Sequence, residues 1–516
     1  MTASPSTYNA ATWLLDRNVD AGRAEKLAFT DTSRDLTYGE LQTQSCRLAN
    51  LLRRLGVRRE ERIAMIMLDT VDFPIVFLGA MRAGIVPVPL NTLLTPEQYA
   101  YILSDCRARV LFVSDALWPA VREVAARMPH LEHVVVAGDD ADGKLRLSDE
   151  IRRESDRFAT APTHPDEPAF WLYSSGSTGM PKGVRHVHAS LAATADTYAS
   201  QVLGIREDDV GLSAAKLYFA YGLGNALTFP MSVGATTVLN TERPTPARMF
   251  ELMQRYHPTI FFGVPTLFAA MLNDESLKHA GAGARLRICT SAGEALPESV
   301  GLHWRKRFGV DILDGIGSTE LLHIFLSNAP GDVKYGTSGR PVPGYRVRLV
   351  DEHGVDVADG EIGELLVDAP SAGEGYWNQR SKSRHTFEGR WTRTGDKYVR
   401  DAEGRYTYCG RADDMFKVSG IWVSPFEVES ALVTHPAVLE AAVVPQGDAD
   451  GLLKPKAFVV LRPGERGADL CESLKEHVKT SVGPWKYPRW IEIVDALPKT
   501  ATGKIQRFKL RESETA

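Results

Sequence analysis

A chain of 516 residues is longer than one hydrophobic core organises, so at least two domains are expected, one of them large. Apolar residues at 44% and charged residues at 24% are the balance of an ordinary globular protein, which sets aside fibrous and disordered classes. With 60 basic against 65 acidic side chains and a net charge of -5, there is no basic excess to suggest a nucleic-acid or anionic-membrane partner. The N-terminus MTASPSTYNA lacks a basic patch followed by an apolar core, and nowhere do about eighteen apolar residues run together, so a cytoplasmic, unanchored chain is expected. Cys46, Cys106, Cys289, Cys409 and Cys471 are far apart and form no CxxC pair, which predicts free thiols in a reducing compartment rather than a disulfide framework or a zinc site.

In chain order, YGELQTQSCRLANLLRRLG places Leu41, Leu48, Leu52 and Leu55 near helical spacing, and IAMIML after it reads as a buried strand. In TPEQYAYILSDC, Thr95 is a helix N-cap, Pro96 takes the first helical position and Gln98 can close a capping box; RVLFVSD follows as a strand. WLY is strand-like, and HASLAATADTYASQVL is helix-like. Thr245 and Pro246 open the helix of TPARMFELMQRYHP, and TIFFGVP is a strand. This alternation predicts α/β layers up to about residue 335. Beyond it, YRVRLVD, GELLVD, RYTYCG, LEAAVVP and KAFVVL are short strands between turns, which predicts a smaller α+β module.

Between WLY and the next helical pattern lies the loop YSSGSTGMPKG, Tyr173 to Gly183, with three glycines, four serine or threonine hydroxyls and one lysine. Glycine permits close approach and unusual dihedrals, so such a backbone can turn its N–H groups toward an anion, phosphate being the obvious one. The Walker pattern needs Gly-Lys-Ser/Thr, whereas Lys182 lies between Pro181 and Gly183; GxGxxG and GxSxG are absent from the loop as well. By itself the loop is also readable, as the weaker alternative, as a flexible surface connection.

Six segments in order decide the matter. SSGSTGMPKG is followed by SAGEALP (Ser291 to Pro297), GIGSTE (Gly315 to Glu320), WTRTGD (Trp391 to Asp396), GRADDMFKVSG (Gly410 to Gly420) and PKTATGK (Pro498 to Lys504). Together they resemble the core motifs of the adenylate-forming superfamily of acyl-CoA synthetases, adenylation domains and luciferases, over nearly the whole chain. The resemblance implies an α/β fold with a large N-terminal domain of layered sheets and helices, residues 1–412, and a small mobile α+β C-terminal domain, residues 413–516. It also implies ATP, Mg²⁺ and coenzyme A as cosubstrates and cofactor.

By that resemblance Ser174, Ser177, Thr178, Gly179 and Lys182 cradle phosphates, Thr319 approaches the α-phosphate, and Glu320 holds Mg²⁺, a hard cation suited to carboxylate oxygens. Gly293, Glu294 and Ala295 flank adenine, with Asp314, Gly315 and Ile316 also at the nucleotide; Asp396 and Arg411 meet the ribose. Lys504 offsets the repulsion between the acid carboxylate and the α-phosphate. Asp413 matches the hinge position, and Gly420 lies where the pantetheine arm passes.

KLYFAYGLG puts Phe219 at the gate position where many relatives have Phe-His, and Ile316-Gly317-Ser318 replaces an aromatic-Gly pair. With DILDGIGSTELLHIFLSN and YNAATWLLDRNV, these departures resemble the benzoate-CoA ligase branch. Ala220, Tyr221, Phe229, Gly317, His323 and Ile324 are then expected to line a flat apolar slot, Gly317 leaving room for a ring. The expected activity is ATP-dependent ligation of benzoate or a hydroxy- or aminobenzoate to CoA. Loading of a carrier protein's pantetheine is the close rival; a luciferase-like monooxygenase and a nucleotide-binding regulator that has lost catalysis are weaker, the latter opposed by Lys504, Asp396 and Glu320. Ring substituents and oligomeric state are not legible.

Overall fold

The computed structural model describes residues 7–174, 180–277, 281, 283–412, 414–418, 421–448, 452–465, 469–483, 486–499 and 505–512. Ser177, Thr178, Gly179, Asp413, Gly420 and Lys504 lie outside these residues. The chain forms two compact units, the first taking 1–175, 180–347 and 367–392, the second 348–366 and 393–516.

In the first unit, two short helical segments, Thr12–Asp16 and Val19–Arg23, and the strands Leu27–Thr30 and Asp35–Thr37 precede the helix Tyr38–Arg54, capped at Thr37, whose side chain accepts from the Glu40 N–H while the Glu40 carboxylate accepts from the Thr37 N–H. Leu41, Leu48, Leu51 and Leu52 form its buried stripe, each worth about 1.5–3 kcal/mol of transfer free energy. It approaches the helix Asp72–Arg82 so closely that a Cβ at Gly79 would fall 2.7 Å from Leu48 Cδ2. The capping box expected at Thr95 is present on the helix Pro96–Cys106.

Between these helices run the strands Arg62–Ile66, Val86–Pro89, Val110–Ser114, His133–Ala137 and Leu145–Arg146, paired in parallel with Arg62–Ile66 between Val86–Pro89 and Val110–Ser114. Val110–Ser114 is buried throughout, as a parallel strand covered on both faces must be. A second, nine-stranded sheet carries the core of the site. Its strand Val210–Ser213 leads outward to the parallel Thr236–Val238; the chain then crosses to the opposite side at Ile260–Gly263 and steps on through Ile288–Ser291 to Ile312–Gly317, all parallel. Ile324–Ser327 and Arg340–Pro341 close that edge antiparallel. The reversal beside Val210–Ser213 is a topological switch point, where the carboxyl ends of parallel strands open a crevice.

The glycine-rich loop departs from its expected setting. Pro168–Ser174 and Lys182–Val187 are antiparallel partners, with Ser174 opposite Lys182, and the helix His188–Thr194 begins only after the second strand. The loop therefore joins two strands, and Gly375–Tyr376 pairs with Lys182–Val187 as a third. Gly183 hides the strand character of KGVRHV in the sequence, yet a glycine fits there because the backbone passes close to the Tyr173 ring: a Cβ at Gly183 would fall 3.0 Å from Tyr173 Cζ.

In the second unit Asp396 to Arg400 pair antiparallel with Tyr406–Arg411. The antiparallel strands Val438–Gly447 and Leu453–Leu461, with Trp490–Ile493 parallel to the latter, pack against the helices Pro425–Val433 and Leu470–Val482. This is the α+β module the sequence predicts. Among the described residues all five cysteines are free thiols, there is no cluster of metal-ligating side chains, and no helix is long and apolar enough to cross a membrane.

Candidate active site

The residues expected to line an acyl slot lie in the first unit, around the switch point. Phe219 caps the short helix Ala220–Leu223 that follows Val210–Ser213, and its half-buried ring meets Tyr218 edge to face at 4.6 Å. Tyr221 O–H and Thr290 Oγ1 are 2.6 Å apart, tying the slot to Ile288–Ser291. Phe229, Tyr221 and Tyr198 surround the His323 imidazole at ring-centroid distances of 4.5, 5.5 and 5.3 Å. Ala220, Phe229 and Ile324 are buried.

His323 is fully enclosed, and burial pushes its pKa down to about 3, so the ring is neutral. Its Nε2 faces two oxygens, Tyr221 O at 3.3 Å and Asn225 Oδ1 at 3.2 Å, which puts the proton on Nε2. Nδ1 is left as a buried acceptor without a partner among the described residues, as is the Asn225 amide nitrogen on the donor side. Gly224 is required behind the ring, because a Cβ there would fall 2.3 Å from His323 Cδ2.

Gly317 pairs with Ile324 at an irregularity in the two strands, and a Cβ on it would meet the His323 carbonyl oxygen at 2.6 Å. The close approach of backbone to backbone accounts for that glycine, beyond any room it leaves for a ring.

A polar cluster lies where the glycine-rich hairpin meets the segment after Ile312–Gly317. Glu320 Oε1 accepts from Tyr376 O–H at 2.8 Å and from Ser174 Oγ at 3.3 Å. Glu320 Oε2 takes no hydrogen bond among the described residues, which leaves a hard oxygen donor of the type Mg²⁺ takes. Lys182 Nζ sits over the Tyr376 ring, 4.6 Å from its centroid. The Thr319 carbonyl accepts from His186 Nε2 at 3.0 Å; His186 is buried, stacks on Phe170, and has its pKa pushed down to about 4 by burial, so it acts as a neutral donor.

At the carboxyl ends of the neighbouring strands, Gly293 has φ of +96° and stands exposed beside exposed Glu294 and half-buried Ala295. Asp314, opposite Ser291 in the parallel register, is buried, and desolvation lifts its carboxyl to about 8; its Oδ2 accepts from the Leu296 N–H at 3.4 Å. Gly315 and Ile316 continue that strand against Ser327 and Leu326.

In the second unit, Asp396 and Arg411 are register partners, with Arg411 Nη1 donating to Asp396 Oδ1 at 3.1 Å and to Thr394 O at 2.9 Å. Gly395, at φ of +71°, lets the guanidinium in: a Cβ there would lie 2.8 Å from Arg411 Nη2. The base of PKTATGK is pinned, with Lys499 bridging Ile505 and the Gln506 N–H donating to Pro498 O at 2.8 Å.

Sequence reasoning misses Tyr376, His186, Asn225, Thr290 and Tyr198. Each is brought in from a separate strand or helix turn; Tyr376 follows Gly373-Glu374-Gly375 and Asn225 follows Gly224, but no motif spacing connects these residues to the side chains they meet. A surface cavity of about 290 Å³ lined by Arg34, Arg47, Asp72 and Arg152 shares no residue with these clusters.

The AMP-binding enzyme family model matches residues 15–377, and the AMP-binding enzyme C-terminal domain model matches residues 427–504. A 4-hydroxybenzoate–CoA/benzoate–CoA ligase of Rhodopseudomonas palustris is 57% identical over 98% of this chain and 94% of its own. Among solved structures, a benzoate CoA ligase from Burkholderia xenovorans LB400 is 51% identical with a TM-score of 0.90, over 98% of this chain and 100% of that one. An anthranilate CoA ligase, AuaEII, in complex with anthranoyl-AMP, is 43% identical with a TM-score of 0.94, over 99% and 98% of the two chains. The chain thus belongs to the AMP-binding enzyme family, in the benzoate–CoA ligase branch of the adenylate-forming superfamily.

Proposed function

We propose that this protein is an ATP-dependent aryl-acid:CoA ligase acting on benzoate or a hydroxy- or aminobenzoate. The observation that carries this is the aromatic cluster of Tyr198, Tyr221 and Phe229 around a neutral His323, which includes residues expected to line the acyl slot, set at a switch point in the same unit as the Ser174–Glu320–Lys182 cluster. A flat ring is complementary to such a slot, since Tyr221 and Phe229 can stack on it or meet its edge.

A carboxylate is unreactive toward thiols because its leaving group is poor. In the first step the acid's oxygen attacks the α-phosphorus of ATP, the bond to pyrophosphate breaks, and an aryl-adenylate forms. Ser174, Ser177, Thr178, Gly179 and Lys182 hold the phosphates and the departing pyrophosphate. Mg²⁺, held by Glu320, would neutralise phosphate charge. Thr319 contacts the α-phosphate, and Lys504 offsets repulsion between the two anions as charge develops. Gly293, Glu294, Ala295, Asp314, Gly315 and Ile316 receive adenine; Asp396 and Arg411 receive the ribose.

In the second step the CoA thiolate attacks the acyl carbon, the bond to AMP breaks, and an aryl-CoA thioester is released. The functional boundary lies at 412/413, where Asp413 is the pivot that exchanges the Lys504 loop for a thiol passage at Gly420. The protein works in the cytoplasm on small molecules, without nucleic acid.

The test is mass-spectrometric product detection with Mg²⁺, ATP and CoA against benzoate, the aminobenzoates, the hydroxybenzoates, cyclohexanecarboxylate and aliphatic acids. An aryl-CoA with AMP is the expected result. Aryl-AMP without a CoA ester points to a carrier-protein thiol, and no product from any acid overturns the reading.

A further inference from the structure

Tyr376 touches both charged members of the polar cluster, through different parts of one side chain. Its hydroxyl donates to Glu320 Oε1 at 2.8 Å, while Lys182 Nζ lies over its ring face at 4.6 Å from the centroid. The residue is buried and rigidly placed. It pairs with Val184 in the register of the glycine-rich hairpin, its N–H donates to Ser383 Oγ at 2.9 Å, and its ring meets Phe387 edge to face at 5.4 Å. The neighbouring Trp377 N–H donates to Gly183 O at 2.8 Å, and its indole N–H to Asp105 O at 2.9 Å, so the strand cannot slide. Glu320 is fixed from the other side as well, its carbonyl accepting from Gly373 at 2.8 Å.

We propose that Tyr376 is a positioning residue for the metal and phosphate groups: its hydroxyl aims the Glu320 carboxylate and its ring face seats the Lys182 ammonium. This rests on the roles given to Glu320 and Lys182 in the proposed function. The O–H occupies Oε1 and so turns Oε2 toward a cation, while the quadrupole of the ring holds the ammonium on the face. The acid and the ammonium thereby meet different parts of one aromatic side chain, the hydroxyl and the ring face. Groups that orient a metal-binding carboxylate in this way carry about 10- to 100-fold in metal affinity when removed.

The experiment compares Tyr376→Phe, which keeps the ring, with Tyr376→Leu and Glu320→Gln in the full chain. Mn²⁺ binding in the presence of a non-hydrolysable ATP analogue is followed by electron paramagnetic resonance, alongside the Mg²⁺ dependence of adenylation and the conversion of supplied aryl-adenylate to thioester. Tyr376→Phe is expected to raise the Mn²⁺ Kd about 10-fold or more, with pyrophosphate affinity retained. Tyr376→Leu is expected to lose pyrophosphate affinity as well, through Lys182. An unchanged Kd in Tyr376→Phe beside a raised one in Glu320→Gln overturns the role of Tyr376 alone. An unchanged Kd in both overturns the assignment of Glu320 and the proposal with it. Equal loss of both half-reactions in Tyr376→Phe with unaltered Mn²⁺ binding also overturns it, since that is the pattern of a general structural defect.

Discussion

Replacing Gly224 by alanine tests the aromatic slot from behind. Gly224 has φ of -61° and ψ of -56°, a helical conformation alanine adopts freely, so in open space the change would stabilise by about 0.4–1 kcal/mol through the unfolded chain. The space is not open: the new Cβ would lie 2.3 Å from His323 Cδ2, 2.6 Å from Nε2 and 3.0 Å from Phe229 Cζ. Carbon atoms rest at about 3.5–4.0 Å, so the imidazole has to withdraw by on the order of 1 Å. Moving it strains the acceptors at 3.3 and 3.2 Å, and a lost buried hydrogen bond costs about 1–3 kcal/mol. Overpacking adds about 1–3 kcal/mol, for a net loss of about 1–5.5 kcal/mol after the favourable chain term. The displaced ring intrudes on the slot by about a methylene's worth of space, which corresponds to about 10- to 200-fold in kcat/KM for benzoate, with KM for ATP unchanged. Urea titration and steady-state kinetics read both. In a His323→Ala background the further cost of Gly224→Ala should be much smaller than in the wild type, because the clashing partner is gone. A wild-type unfolding midpoint and wild-type kcat/KM for Gly224→Ala would refute the argument.

Lys504→Ala should lower adenylation about 100-fold or more while still converting supplied aryl-adenylate to thioester; parallel loss of the two half-reactions contradicts the assignment. Gly420→Leu should do the reverse, sparing adenylation and obstructing the thiol, and single-turnover assays of each half-reaction separate the two variants. His323, held to about 3 by burial, should give no inflection in kcat/KM between pH 5 and 8. Its folded pKa lies below the unfolded value of about 6.5, so the unfolded chain binds the proton first as pH falls. The stability it allows is complete above about pH 6.5 and is lost toward pH 3, at up to about 1.4 kcal/mol per pH unit. Urea unfolding from pH 7 to 4 should therefore be steeper in its pH dependence for the wild type than for His323→Gln, and superimposable pH profiles would sink the prediction.

Much of the architecture is written in local chemistry. Thr95, Pro96 and Gln98 announce a helix start that the structure forms with both capping bonds, and Thr245 with Pro246 opens a second helix, the Thr245 hydroxyl accepting from the Arg248 N–H. The apolar runs at Arg62–Ile66 and Val110–Ser114 are strands because nothing but burial on two faces suits them. The glycine-rich hairpin is harder to read: Gly183 and the charges of Lys182 and Arg185 mask the strand Lys182–Val187, whose pairing with Pro168–Ser174 is a matter of ladder hydrogen bonds rather than of local pattern.

Residues adjacent in the chain carry the family, and with it the expectation of a phosphate loop at Tyr173 to Gly183, a metal-binding Glu320 and a catalytic Lys504. Which side chains meet is set by the fold. Glu320 finds Tyr376 56 positions away and Ser174 146 positions away, and His323 finds Asn225 98 positions away. No spacing rule links such partners, because they are joined by strand order in a sheet and by the burial of rings against one another. The neutrality of His323 has the same origin: its charge state is set by desolvation among Tyr198, Tyr221 and Phe229, a property of the packed interior that no local segment contains.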